Sequence, residues 1–265
     1  MKVKLPISAI IVGLNEVLFL NQCLNSIDFC DEILYADLGS LDNSIKIAKH
    51  FGAKIYQRKK VPSGEYIHSE IVHFTKNEWV IFIDPDEKVD DMLKKQIIKE
   101  FDKIKINSSI GAVTVPWHFY FKDYKLKGTI WGGNNQKHFL VNKYRYEFLP
   151  ITHYGRNIKS GFQIHNINLN ENSNNILHHY WMNNWKVFLS KHQRYVEGDI
   201  IYSYEHGRRY SKKEVLFKPL EAFIESFIKK RGYKDYFLGF FLSLFWSYYK
   251  TRVAIGSLIL QSKAH

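Results

Sequence analysis

Short, mainly apolar runs recur along the first half of the chain, and most of them end at polar or acidic residues. The runs are Ile7 to Val12, Glu32 to Asp37, Ala53 to Gln57, Trp79 to Ile83 and Ile110 to Pro116. Such runs are typical of strands buried on both faces, as in a parallel sheet. Between them the sequence predicts a helix that ends near residue 29, a helix that runs to Phe51 after a cap at Asp42 or Ser40, and helices over 65–76 and 91–104. The alternation predicts an α/β fold with a doubly wound, mainly parallel central sheet.

Three carboxylates, Asp84, Asp86 and Glu87, follow directly after the fourth apolar run. Pro85 has no backbone N–H and ends the strand, so Asp84 and Asp86 are expected at the carboxyl end of a central strand, where open α/β sheets bind ligands. Two carboxylates this close repel unless a cation lies between them. Mg²⁺ carried by substrate phosphates would supply that charge. The alternative is an acidic turn that caps the next helix.

The first two predicted strands also end in polar residues, at Asn15-Glu16 and at Asp37. The carboxyl ends of parallel strands meet at one edge of a sheet, so these side chains are expected to share a crevice with Asp84 and Asp86. No Gly-x-Gly-x-x-Gly follows the first strand, and the chain has no Gly-Lys-Ser/Thr loop. These absences count against a dinucleotide-dependent dehydrogenase and against a P-loop enzyme.

The strand-end segments together resemble glycosyltransferase family 2, and within it the small bacterial enzymes that add sugars to the lipopolysaccharide core. The segments are Ser8 to Glu16, Glu32 to Asp42, Asp84 to Glu87, Leu177 to Tyr180, Leu216 to Pro219 and Lys230 to Gly232. They extend over nearly the whole chain. The resemblance implies a GT-A fold, a nucleotide-diphospho-sugar donor, a divalent cation (Mg²⁺ or Mn²⁺) and inversion at the anomeric carbon.

The resemblance also implies roles for individual residues. Asp37 is expected to hydrogen-bond the base of the donor, and Asp86 to ligate the metal directly. Asp84 is expected nearer the ribose and the metal's waters. The other expected members of the nucleotide-sugar pocket are Asn15, Glu16 and Ser40.

Three segments depart from the family's pattern. His68-Ser69 stands where relatives carry Arg/Lys-Asn, so a cation that steadies the diphosphate is missing or depends on protonation of His68. Asn134-Asn135 stands where relatives have an Asp, and an asparagine cannot act as a general base. Thr152-His153-Tyr154 replaces the usual Val-His-Glu.

Inversion by direct displacement requires a base within reach of the acceptor hydroxyl. The titratable candidates in the second half are His138, Glu147 and His153. We expect Glu147 to pair with Arg145 or Lys143 and to be too acidic, and His138 to be packed in a strand. His153 lies in a predicted loop with an imidazole near its natural pKa, so the hypothesis is that His153 is the catalytic base.

Other residues of the second half allow two readings each. Aromatic residues are dense in 117–131 and would form a sugar-stacking wall or pack in the core. The pair His178-His179 would be structural or, by resemblance, would lie near the metal.

Cys23 and Cys30 are expected to be buried free thiols on one helix face, in a reducing cytosol, and no signal peptide is expected.

Net charge is +12, and residues 207–265 carry twelve Lys/Arg against four Asp/Glu. Leu216 to Ile228 shows an apolar stripe at helical spacing, and Tyr236 to Tyr249 is uncharged. The uncharged run is too short to span a bilayer, which favours an amphipathic helix lying on an anionic membrane; the alternative is a helical cap on the domain. Nucleic acid is not an expected partner, because the basic residues flank apolar runs rather than polar ones.

The expected organisation is a nucleotide-sugar-binding half (1–117), an acceptor-side half of the same domain (118–206) and a membrane-associating helical segment (207–265). The expected function is an inverting, metal-dependent glycosyltransferase at the cytoplasmic face of the inner membrane. It would move a hexose to a lipid-linked glycan acceptor such as lipopolysaccharide core. The alternative is a catalytically weak or inactive sugar-nucleotide-binding or scaffold protein.

Overall fold

A computed structural model describes residues 4–61, 64–150, 155–172, 174–182 and 184–263. The chain divides into two compact units. Unit 1 comprises Met1–Trp117 and Gln136–His179, and unit 2 comprises His118–Asn135 and Tyr180–His265. Strand β6, Ile110–Phe121, and strand β12, Leu177–Met182, each begin in unit 1 and end in unit 2.

Unit 1 alternates strands and helices over its first 110 or so residues. Its strands are β1 (Leu5–Gly13), β2 (Cys30–Asp37), β3 (Lys54–Gln57), β4 (Trp79–Phe82), β5 (Glu87–Val89), the start of β6, β8 (Asn135–Asn142), β9 (Tyr146–Phe148), β10 (Arg156–Ile158), β11 (Gln163–Asn166) and the start of β12. Its helices are α1 (Leu20–Ser26), α2 (Ser44–His50), α3 (Gly64–Ile71) and α4 (Asp91–Ile106).

The central sheet has the strand order β3-β2-β1-β4-β8-β6-β12-β5. β1 pairs in parallel with β2 and β4, and β2 pairs in parallel with β3, whereas β8 runs antiparallel to β4. Alternate residues of β4 contribute to separate apolar clusters on the two faces: Trp79 and Ile81 to one, Val80 and Phe82 to the other. Helices α1 and α4 supply side chains to the first cluster and α3 to the second. The predicted doubly wound α/β fold with a mainly parallel sheet is confirmed.

Helix α1 ends at Ser26, three residues before the predicted end. The chain must turn there so that Cys30 can open β2 beside Leu5, whose N–H donates to the Phe29 carbonyl. Cys23 and Cys30 are therefore both buried free thiols, as predicted, but they do not share a helix. Helix α3 likewise ends before its predicted end and continues as a 3₁₀ turn, Val72–Phe74.

Unit 2 is mainly helical. Its elements are the ends of β6 and β12, the short strand β7 (Tyr124–Lys125), and helices α5 (Trp185–Glu205), α6 (Lys212–Phe223) and α7 (Tyr236–Lys263). A π-helical segment (Ile224–Lys229) and a 3₁₀ turn (Gly232–Asp235) connect α6 to α7. The buried Asp235 carboxylate accepts from the N–H groups of Lys127 and Gly128 at 2.7 Å each and so ties this connection to the loop after β7.

Helix α7 is twice as long as the predicted uncharged run and has two sides. Leu242, Tyr249 and Val253 are buried within unit 2. The other side carries an exposed stripe at helical spacing, here called the α7 stripe: Phe237, Phe241, Leu244, Tyr248, Ile255 and Ile259. Among the described helices, none combines the length and hydropathy that a membrane span requires.

Candidate active site

The carboxylate segment lies where the sequence predicts it, immediately after β4. Asp84 and Glu87 close the turn reciprocally: the Asp84 N–H donates to Glu87 Oε2 at 2.9 Å, and the Glu87 N–H donates to the Asp84 carbonyl at 2.9 Å. Glu87 then opens β5, which pairs with β12, and Asp90 caps α4. The acidic segment therefore forms a tight turn at the end of β4 and also caps α4.

Glu87 is not available to a ligand, because it forms a buried ion pair. The Lys137 ammonium lies 2.6 Å from Glu87 Oε2 and 3.6 Å from Asp84 Oδ2, and the Glu87 and Lys137 side chains are 0% and 6% exposed. Burial raises the pKa of Glu87, and the charge of Lys137 opposes that shift. The sequence analysis did not predict this ion pair. The sequence feature that points to it is a lysine at an inward-facing position of the apolar strand β8.

Asp84, Asp86 and His179 form a cluster whose ligand atoms all lie within 4.8 Å of one another. His179 Nε2 is 3.3 Å from Asp86 Oδ1. Its ring stacks on Trp117 with centroids 5.2 Å apart, which fixes the imidazole plane. Two carboxylates and one imidazole fit a divalent cation, and oxygen donors of this kind suit Mg²⁺ or Mn²⁺.

Asp84 is suited to bind a cation because its carboxylate is ionised and accessible. Desolvation favours the protonated form, but the fields of Lys137, His179 and Arg156 outweigh it and hold the pKa of Asp84 well below its ordinary value. The side chain is 48% exposed. Asp84 therefore presents a negative charge to solvent at the end of β4.

The other histidine of the His178-His179 pair, His178, points elsewhere. His178 Nε2 lies 3.5 Å from Asp90 Oδ2, at the start of α4, whereas His179 faces Asp86. Alternation along β12 separates the two rings, because successive side chains of a strand point to opposite faces. Only the structure distinguishes which histidine joins the carboxylates.

The expected nucleotide-pocket residues of β1 and β2 come together. Gly13 pairs with Asp37, and the loops after the two strands are linked by hydrogen bonds. The Asn15 N–H donates to Ser40 Oγ at 2.9 Å, and Asn15 Oδ1 accepts from the Leu41 N–H at 2.9 Å. Asn15 has a left-handed backbone (φ 59°), and Glu16 is bound through its N–H to Ser44.

Asp37 is buried, and its carboxylate accepts from the N–H groups of Gly39 and Ser40 at 3.0 Å each. Asp37 therefore shapes the turn that carries Ser40. A carboxylate has about four lone-pair positions, so these bonds leave acceptor capacity for a ligand.

His68 does not supply a cation at neutral pH. It is buried against Phe82 with ring centroids 4.6 Å apart, and burial, followed by the nearby charge of Arg156, holds the pKa of His68 well below its ordinary value. Arg156 is a permanently charged group on this side of β4, and its guanidinium carbon lies 5.5 Å from the centroid of Phe82.

Of the three candidate bases, His153 lies outside the described residues. His138 Nδ1 is 2.6 Å from the Tyr146 hydroxyl, and burial lowers the pKa of His138. Glu147 is exposed on β9 opposite Asn157.

The prediction that Glu147 pairs with Arg145 or Lys143 is wrong, because both side chains bind other groups. Arg145 donates to the carbonyls of Asn107 and Ile110, and Lys143 donates to the Thr75 carbonyl. These backbone acceptors come from a distant part of the chain, so strand alternation alone could not reveal them.

The aromatic residues of 117–131 are mainly core. Phe119, Phe121 and Trp131 are at most 8% exposed, and Trp131 packs against Trp181 and Phe188 in unit 2. Trp117 differs because it lies beneath two groups of the site: Lys137 Nζ is 5.2 Å from its ring centroid, and His179 stacks on it. Trp117 therefore contacts two side chains of the site and is half-buried rather than packed in the core.

No protein-family model matches the chain. An uncharacterized glycosyltransferase of Rickettsia bellii is 31% identical over 93 residues, covering 34% of this chain and 31% of that protein. The lipopolysaccharide core biosynthesis glycosyltransferase LpsC of Rhizobium meliloti is 31% identical over 98 residues, covering 35% of this chain and 36% of that protein. The chain resembles bacterial glycosyltransferases. The likeness that the motifs predict is confirmed, over a segment that spans about a third of each relative's length.

The solved structures that are similar to this chain include glucosyl-3-phosphoglycerate synthase from Mycobacterium tuberculosis, in complex with Mg²⁺ and uridine-diphosphate. It is 20% identical, with a TM-score of 0.35, and the match covers 43% of each chain.

Proposed function

We propose that the protein is an inverting glycosyltransferase that moves a hexose from a nucleotide-diphospho-sugar to a lipid-anchored saccharide such as lipopolysaccharide core. The observation that carries the proposal is the convergence of Asp84, Asp86 and His179 at the carboxyl end of β4, beside the linked loops of Asn15 and Ser40. The sequence likeness to glycosyltransferases, one of them named for core biosynthesis, supports it.

In this proposal Asp86 and His179 hold a divalent cation, Mg²⁺ or Mn²⁺, and Asp84, which the family resemblance assigns to the ribose and the metal's waters, is close enough to be a third ligand. The ion supplies charge stabilisation for the diphosphate that departs with the nucleotide. The Lys137–Glu87 pair keeps the turn in place and prevents Glu87 from competing for the cation. The ring of Trp117 orients His179 toward Asp86.

The donor's nucleotide lies at the ends of β1 and β2, with Asp37 accepting from the base and Asn15, Glu16 and Ser40 forming the pocket wall. His153 accepts the proton of the attacking acceptor hydroxyl. Residues 1–117 serve the donor, 118–206 the acceptor and 207–265 the membrane.

The α7 stripe supports a membrane role. Phe237 and Tyr248 are 74% and 58% exposed, far more than the buried side of the same helix, and the α6–α7 connection exposes Lys229, Lys230, Arg231 and Lys234. An exposed apolar stripe beside clustered cations fits the surface of an anionic bilayer. We place the enzyme on the cytoplasmic face of the inner membrane, where such an acceptor would be within reach.

A thermal-shift screen of nucleotide sugars with Mn²⁺ tests the proposal, since a ligand that binds the folded state raises its melting temperature. One donor should raise the melting temperature only with the cation, and that donor should be hydrolysed slowly without acceptor. Binding without hydrolysis or transfer would favour the inactive scaffold. No stabilisation by any nucleotide sugar would contradict the proposed function.

A further inference from the structure

Arg156 is a half-exposed cation held in a defined position beside the site. It opens β10 and lies opposite Phe148 of β9 in an antiparallel pair. Its guanidinium carbon lies 5.5 Å from the centroid of Phe82, two residues before Asp84. Within the ranges that the structure describes, no carboxylate forms an ion pair with Arg156.

The ring under Arg156 is buried and packed against other rings. Phe82 is 1% exposed and contacts both His68 and Phe148, with centroids 4.6 Å and 5.4 Å away. The Tyr146 hydroxyl donates to the Arg156 carbonyl at 3.2 Å, which fixes the backbone. A guanidinium is a planar fork of N–H donors, and this fork matches the oxygens of a phosphate.

The basic side chains that do most to lower the pKa of Asp84 are those of Lys137, His179, Arg156 and His68. Lys137 is buried and bonded to Glu87, and His68 is buried against Phe82. His179 belongs to the Asp-Asp-His cluster. By elimination, Arg156 is the one of the four that is both permanently charged and accessible to a ligand.

We propose that Arg156 binds the diphosphate of the sugar donor, alongside the cation held by Asp84 and Asp86. The inference rests on the proposed function and adds a second positive group for the leaving diphosphate. A divalent cation offsets the two aspartates, and the diphosphate then brings further negative charge. Arg156 neutralises part of that charge through bidentate hydrogen bonds, which lysine cannot make.

Calorimetry of the full chain with inorganic pyrophosphate in the presence of Mn²⁺ tests the inference. Arg156→Gln should weaken pyrophosphate binding at least tenfold, and Arg156→Lys should weaken it less. Arg58→Gln is the matched control: it removes an arginine of the same unit whose Nε is paired with Glu70 at 2.7 Å. The control should change the affinity less than twofold. Thermal unfolding of each variant establishes that it is folded, and the lysine variant carries the test if the glutamine variant is not.

The possible failures are distinguishable. In one outcome, the folded Arg156 variant binds pyrophosphate as tightly as the parent does, and Asp86→Asn loses Mn²⁺-dependent binding. In that case the inference is wrong and the proposed function stands. If only the KM for the acceptor rises in the Arg156 variants, the arginine binds an anionic group of the acceptor and the donor assignment is overturned. If the parent binds neither pyrophosphate nor a nucleoside diphosphate with Mn²⁺, the proposed function and the inference fail together.

Discussion

Lys137 Nζ lies 2.6 Å from Glu87 Oε2, and both side chains are buried directly behind the turn that carries Asp84 and Asp86. A buried pair of this kind contributes little compared with an apolar pair of the same shape, but removing one partner leaves an uncompensated charge. The pair therefore makes the geometry of the turn depend on a residue 50 positions later in the chain.

Lys137→Met should lower the free energy of unfolding by about 3–5 kcal/mol, because the buried Glu87 carboxylate then loses the ammonium group that offsets its charge. Urea unfolding at pH 7 measures the effect. The double variant Lys137→Met/Glu87→Gln removes the uncompensated charge and should recover much of the loss. A single variant as stable as the parent would show that the pair does not form in solution.

His179→Gln should abolish most of the enhancement by Mn²⁺ of nucleoside-diphosphate binding, because it removes a ligand of the proposed cation. His178→Gln is the matched control, since His178 faces Asp90 rather than Asp86. Calorimetry with and without Mn²⁺ compares the two variants with Asp86→Asn. Equal behaviour of His179→Gln and His178→Gln would remove His179 from the metal site.

Glu32 should make stability depend on acid pH. The carboxylate is buried and accepts from Ser8 Oγ, Lys54 Nζ and the Lys76 N–H. Burial raises the pKa of Glu32, but these hydrogen bonds outweigh burial and the net shift is downward. A lowered folded-state pKa stabilises the fold above the unfolded pKa of about 4.3, and this contribution is lost as the pH falls through the lower folded value.

Glu32→Gln should cost about 1.5–3 kcal/mol at pH 7, the range for hydrogen bonds to a charged group. Its stability should also fall less steeply than that of the parent below about pH 4.3. Unfolding curves collected from pH 7 to pH 3 measure both effects. Parallel pH profiles for the two proteins would exclude Glu32 as the titrating group.

His153→Gln should lower kcat for transfer by roughly 10² or more, which is the usual contribution of a general base. The dissociation constant of the nucleoside diphosphate should stay unchanged. His138→Gln is the comparison, because His138 Nδ1 is already engaged by the Tyr146 hydroxyl. Full activity of the His153 variant would direct the search to His138 or Glu147.

The triple variant Phe237→Gln/Phe241→Gln/Leu244→Gln should reduce co-sedimentation with anionic liposomes at least about tenfold, since each inserted apolar side chain contributes about 1.5–3 kcal/mol. These residues are 74%, 43% and 44% exposed, so the fold should tolerate the changes. The control, Ile106→Gln/Tyr144→Gln, removes exposed apolar residues of unit 1. Undiminished binding of the triple variant would assign α7 a purely structural role.

Local patterns were sufficient for β1 to β4, for the start of β6 and for the position of the carboxylates, whereas β5 and β7 to β12 were not predicted. A run such as Trp79 to Ile83 is buried whichever neighbour it pairs with, and Pro85 ends the strand through its own covalent structure. The parallel order of β1, β2 and β4 then follows from the alternation with helices, which is why Asn15 and Asp37 could be expected at one edge.

Tertiary contacts decided which side chains complete the site. Lys137, His179 and Arg156 act on Asp84 from β8, β12 and β10, and contacts over about 50 to 95 positions leave no periodic signal in the sequence. The charge state of His68 was also settled by its neighbours, because burial against Phe82 disfavours the imidazolium form. Residue type thus determined what chemistry was available, and the sheet register determined where each charge lies.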